Sequence, residues 1–148
     1  MSKFDREEVL RFHQGGKVAV HLPRPLKTKE DLCLAYTPGV AHAVKEIAAN
    51  PLAAFDCTAK SNLVAVVSDG TAILGLGDLG AAASIPVMEG KAILFKGFAG
   101  VDSIPICLNT EKVDEVVKAV ELMAVAASTA ATRACFFMKM PPKILNIM

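Results

Sequence analysis

Leu63-Val-Ala-Val-Val-Ser68 carries apolar side chains at consecutive rather than alternate positions. A strand does this when both of its faces are covered, so the run predicts a strand with protein on either side. Asp69-Gly70 follows as a turn signal, and residues 71–74 are short, apolar and placed to pair back as a hairpin. Gly75, Gly77 and Gly80 then spell a Gly-x-Gly-x-x-Gly loop. A dinucleotide loop of that pattern needs a strand before it, an amphipathic helix after it and an acidic residue about 20 positions further on. Here only residues 81–85 precede Pro86, whose ring and missing N–H disrupt a helix interior. The long crossover helix of such a unit is therefore expected to be kinked or cut. Asp102 follows Gly100 in what reads as a loop, so no acidic residue ends a second strand there. The preferred reading is that these glycines permit close backbone packing and positive φ at a sheet edge.

Around this segment the chain alternates helical and extended patterns. Residues 4–14 read as a short helix with Asp5 as N-cap, Glu7 and Glu8 at its positive end, and Gly15-Gly16 as its stop. Residues 17–22 suggest a strand or an extended arm, kept extended by Pro23 and Pro25. Thr28 and Asp31 form a variant capping box. Pro38 can open a helix to about Asn50 that buries Val40, Val44, Ile47 and Ala48. A helix over 88–98 would carry Lys91, and residues 103–108 read as a short buried strand with Pro105 at a sheet edge. Val113, Val116, Val117 and Val120 mark one face of a helix opened by Asn109 or Thr110. The sum is an α/β fold, a small sheet flanked by helices, and 148 residues suit one domain.

Charge narrows the function classes. A formal charge of +1 and the absence of basic runs with interleaved aromatics argue against nucleic acid or an acidic membrane surface as partner. No apolar run reaches the roughly 18 uncharged residues of a membrane span, and the charged start predicts no signal peptide. Cys33, Cys57, Cys107 and Cys135 are scattered without zinc spacing, so they read as buried thiols of a reducing cytosol. His13, His21 and His42 show no ligand spacing. Two residues stand out chemically. Tyr36, the only tyrosine, sits at a loop-to-helix junction where it can be a half-buried packing residue, and its neighbours do not overturn that reading. Lys91 lies among apolar residues, where a lysine either snorkels to solvent or, if buried, becomes a neutral amine able to act as base. Spacing leaves both alternatives open.

Leu34-Ala-Tyr-Thr-Pro-Gly-Val-Ala41, Asn62-Leu-Val-Ala-Val-Val-Ser-Asp-Gly-Thr-Ala72, Leu74-Gly-Leu-Gly-Asp-Leu-Gly80 and Pro86-Val-Met-Glu-Gly-Lys-Ala92 closely resemble the N-terminal domain of bacterial malic enzymes. The likeness continues through residues 94–96 and 98–102 and covers roughly residues 9–121 in the same order. It implies a malic enzyme N-terminal domain-like fold, here without the C-terminal Rossmann domain, and the cysteine pattern makes a cytoplasmic protein the expectation. The family oxidises malate with NAD or NADP and decarboxylates the product to pyruvate and CO₂. Its cofactor binds mainly to the downstream Rossmann domain, and its glycine-rich loop lies in the substrate domain. By the same resemblance Lys91 takes the proton of the malate C2 hydroxyl and Tyr36 protonates C3 of the enolpyruvate. Mg²⁺ or Mn²⁺ stabilises the enolate as a Lewis acid. A homodimer is expected. The larger eukaryotic relatives carry a substrate arginine just before Leu-Gly-Leu-Gly, where this chain has Ala72.

The resemblance stops near residue 121. The family continues with Gly-Gly-Ile-Asn-Leu-Glu-Asp, which supplies two metal carboxylates, whereas after Glu121 this chain has no Asp, Glu or Gly. Divalent magnesium or manganese needs hard oxygen ligands, so this chain is expected to lack the binding residues for metal and for cofactor alike. Residues 1–121 are read as the substrate domain and 122–148 as a divergent apolar tail, by a frame error or in a truncated gene, with a helix to about Met140 or loose chain. Three functions compete: an enzyme fragment inactive alone, a non-catalytic module pairing with a full-length subunit, and an independent dinucleotide-binding domain on Gly75, Gly77 and Gly80. Sequencing the encoding DNA tests the tail. A recent frame shift predicts a Glu-Asp motif in an alternative frame just 3′ of the Glu121 codon; its absence from both frames counts against one.

Overall fold

The computed structural model describes residues 4–123, so the tail assignment and its helix lie outside the described residues. The element order is α1 (Arg6–His13), α2 (Lys29–Ala35), α3 (Val40–Ala49), a 3₁₀ turn (Pro51–Ala53), α4 (Ala54–Cys57), a second 3₁₀ turn (Ala59–Ser61), β1 (Leu63–Ser68), α5 (Gly80–Ala99), β2 (Asp102–Cys107) and α6 (Val113–Met123). β1 and β2 pair in parallel, Leu63 opposite Asp102 through Ser68 opposite Cys107. Parallel neighbours need a crossover, and α5 supplies it by running back across the sheet. Ser84, Met88 and Ala92, at i, i+4 and i+8, form its buried stripe against a core that includes Val66 and Ile73. This is the α/β arrangement of a small sheet with helices expected from the sequence.

Three expectations about the central segment are corrected. Residues 71–74 do not pair back as a hairpin strand; the partner of β1 is β2. The Asp69 carboxylate instead accepts from the Thr71 N–H (3.1 Å) and hydroxyl (2.8 Å), curling the chain into a loop. Gly70, at φ +79°, comes so close to Gly80 that a Cβ would lie 2.3 Å from the Gly80 carbonyl carbon. The loop thus returns to the start of α5 rather than along β1. Nor is the crossover helix cut: α5 runs 20 residues with Pro86 inside it. Proline in a helix interior costs about 3 kcal/mol, and the packed stripe on either side of Pro86 outweighs that cost. Asp102 also opens β2 instead of lying in a loop.

The local end signals hold. Asp5 caps α1 by accepting from the Glu7 N–H, and the Thr28–Asp31 capping box forms in both directions. Thr110, not Asn109, receives the Lys112 N–H before α6, and its hydroxyl donates to the Glu115 carboxylate. Residues 17–22 form an arm without strand pairing. The apolar face assigned to α3 is not buried: Val44 is 59% exposed and α3 packs on its short neighbours rather than on the sheet. Thr37-Pro38 is cis and lies in the turn before α3, whose first residue is Val40. At the far end of the sheet, Asn62 donates to the Gly100 carbonyl (3.0 Å) and to Asp102 (3.2 Å), and Lys96 pairs with Asp102 at 2.8 Å. The lysine hydrogen bond holds the Asp102 carboxyl below the usual carboxylate range. Among the described residues no helix is long and apolar enough to cross a membrane.

Gly70→Ala meets both a positive φ and backbone atoms, whereas Gly75→Ala at φ +77° has nothing within 4 Å of its Cβ. Urea unfolding is expected to show a loss of about 2–4 kcal/mol for the first and about 1–2 kcal/mol for the second. Equal losses would refute the close loop-to-helix approach.

Candidate active site residues on α2 and α5

Lys91 sits seven residues after Ser84, almost two full turns of α5, so it falls beside the stripe that meets the sheet. Its position is half-buried, and no carboxylate lies within ion-pairing distance of it among the described residues. Burial with no compensating charge disfavours the ammonium, and desolvation lowers the Lys91 pKa from the ordinary 10.5. Of the two alternatives left open by spacing, the structure thus favours partial burial over a fully solvated ammonium.

Tyr36 ends α2. Its N–H donates to the Leu32 carbonyl at 2.8 Å and its own carbonyl accepts from the Val40 N–H at 2.7 Å, so the backbone joins α2 to α3 through this residue. The side chain is 67% exposed, which sets aside the half-buried packing role. Tyr36 and Lys91 lie on separate elements, and among the described residues no hydrogen bond or ring contact joins them.

A feature the sequence reading missed is a cleft of about 400 Å³ where the C-terminal ends of the strands meet the start of α5. Asp69, Asp78, Gly80, Glu111, Lys112 and Glu115 line it, and neither Tyr36 nor Lys91 does. The Asp-Gly turn and the glycine loop were its signal, since open α/β units place clefts beyond strand C-termini. Its chemistry does not fit a pyrophosphate: four carboxylates oppose one lysine where the helix dipole would otherwise attract an anion. Nor, among the described residues, do three His, Cys, Asp or Glu side chains gather closely enough to hold a metal ion.

A family model described as "Malic enzyme, N-terminal domain" matches residues 15–122. An NAD-dependent malic enzyme of Geobacillus stearothermophilus is 54% identical over 114 residues, covering 77% of this chain and 24% of the relative. An NADP-dependent malic enzyme of Rhizobium meliloti (strain 1021) is 56% identical over 126 residues, covering 83% of this chain and 17% of the relative. The crystal structure of a malic enzyme from Pyrococcus horikoshii superposes with a TM-score of 0.77 at 48% identity, over 80% of this chain and 28% of that one. The chain therefore spans about a quarter or less of the length of these two curated relatives.

The lowered Lys91 pKa carries a stability consequence. Between that value and 10.5 the unfolded chain binds more protons than the folded one, so stability from this group rises with pH across the window. Lys91→Met is expected to flatten that rise in urea midpoints measured at successive pH values. A slope identical to the parent's would show that the folded amine is solvated.

Proposed function

The chain belongs to the malic enzyme family, and on that premise we propose that Lys91 and Tyr36 are the base and the acid of an oxidative decarboxylation of malate. The observation that carries this reading is Lys91 itself, a half-buried amine with a lowered pKa and no ion-pair partner among the described residues. Such an amine is neutral at lower pH than a solvated lysine and can accept a proton from the C2 hydroxyl as hydride departs. A nicotinamide cofactor would supply the acceptor for that hydride. Loss of CO₂ from the resulting 2-oxo diacid leaves an enolate, and the exposed Tyr36 phenol suits the donor that protonates its C3. A divalent ion would supply charge stabilisation at the C2 oxygen, but the described residues gather no ligand set for it.

Nucleotide preference is not divided by similarity, because identities to NAD- and NADP-dependent relatives are nearly equal, 54% and 56%. The third function, a dinucleotide domain on Gly75, Gly77 and Gly80, is disfavoured by the carboxylates around the loop's cleft. We assign residues 1–121 to the substrate domain, and the chain alone to an inactive fragment. Cys57 is exposed and Cys33 and Cys107 are half-buried, so these thiols are not the buried ones expected; the cytoplasmic setting rests on the scattered cysteine spacing alone. A second reading, a module that pairs with an intact subunit, is favoured by the bare side chains of Phe12, Leu34 and Val44. Co-purification with an intact relative would support it; a monomer indifferent to such a partner would not.

The chain alone, given malate, NAD or NADP, and manganese, is expected to form negligible reduced cofactor. A rate comparable to intact relatives would overturn the fragment assignment. In a chimera whose residues 15–122 replace the matched segment of the Geobacillus enzyme, Lys91→Met and Tyr36→Phe should each lower kcat by about 10²–10⁴-fold. The Lys91 variant should also lose the ascending limb of the pH profile, and retained activity in either would remove that residue from the mechanism.

A further inference from the structure

Four ion pairs occur among the described residues, and three are open to water. The fourth is different: the Lys17 side chain is 8% exposed and Glu89 18%, with the Lys17 Nζ 3.7 Å from the Glu89 Oε2. The same ammonium donates to the Pro86 carbonyl at 3.0 Å, and the Lys17 backbone N–H donates to Glu89 at 3.1 Å. One residue of the N-terminal segment thus grips α5 at two places one turn apart. Gly16 is pressed against the same carboxylate: a Cβ there would lie 3.0 Å from Glu89 Oε1. On the other side of this grip, α1 buries none of its residues, and Phe12 is 72% exposed. Between α1 and Lys17 stand Gly15 and Gly16, at φ +83° and +80°, a backbone region that other residues rarely enter.

We propose that Lys17 is a latch that holds the N-terminal segment against α5, with Gly15 and Gly16 as the hinge on which α1 turns. A charged hydrogen bond shielded from water is worth more than an exposed pair, and removing one partner strands the other. The segment therefore has a discrete closed state rather than a gradual one. Opening bares the Pro86–Glu89 face of α5, just before Lys91 in sequence, without disturbing the sheet.

Acylation of lysine side chains in the whole 148-residue chain, read residue by residue by mass spectrometry, tests this. Lys17 should react at least about tenfold more slowly than Lys112, whose side chain is 77% exposed. In Glu89→Gln the Lys17 rate should rise about tenfold while the half-buried Lys91 keeps its parent rate. Gly16→Ala, whose Cβ would crowd the same carboxylate at Oε1, should produce the same local rise. Hydrogen exchange at the Lys17 amide should quicken in both variants. An unchanged Lys17 rate in both variants overturns the latch. So does a Lys91 rate that climbs with it, or a Glu89→Gln chain that fails to fold, since either marks general opening.

Discussion

The parallel pairing of β1 with β2 is the constraint on which the other elements depend. Two strands pointing the same way cannot be joined by a tight turn, so the chain must travel the length of the sheet again before β2 begins. α5 makes that return, and Gly70 lets the loop between β1 and α5 close on Gly80 at a spacing no side chain would permit. At the opposite end, Gly100 in the left-handed region stops α5, and Asn62 ties that stop to the first residue of β2. Lys91 owes its place to this return path, since only a helix laid on the sheet carries a lysine at the phase of its buried stripe.

What the sequence made legible was whatever short-range chemistry decides. Asp5, Thr28 and Asp31 announced helix starts because a cap and the N–H groups it receives are two or three residues apart. Asp69-Gly70 announced a turn for the same reason, but where the chain went next depended on Gly80, ten positions on and silent until the backbone was placed. Pro86 misled in a related way. Its local penalty is real, yet a 20-residue helix packed through Ser84, Met88 and Ala92 spreads a larger gain over a surface that no window of residues displays. Val44 misled in the other direction, being periodic enough for a buried face that the described residues leave uncovered.

The candidate site divides similarly. Lys91 stood out as a lysine among apolar residues whose state spacing left open, Tyr36 had an ordinary packing role by its neighbours, and the resemblance gave both a catalytic one. The structure adds the physical state of each group, a bare phenol at a helix junction and an amine with reduced access to water. The place of the cleft had a signal in the Asp-Gly turn and the glycine loop, but its carboxylate lining had none, because Asp78 and Glu111 are far apart in the chain and meet only after the loops fold. A glycine pattern that resembles a phosphate cradle can thus be surrounded by the wrong charge, which the pattern by itself does not encode.

A sheet of two strands has no interior strand. Each of its members turns one row of peptide groups toward its neighbour and the other row outward, and Pro105 removes a donor from β2 alone. Among the described residues no strand pairs with the outer margin of β1, which spans six residues. That margin is a template: any extended segment laid alongside it in register finds half of a ladder already built.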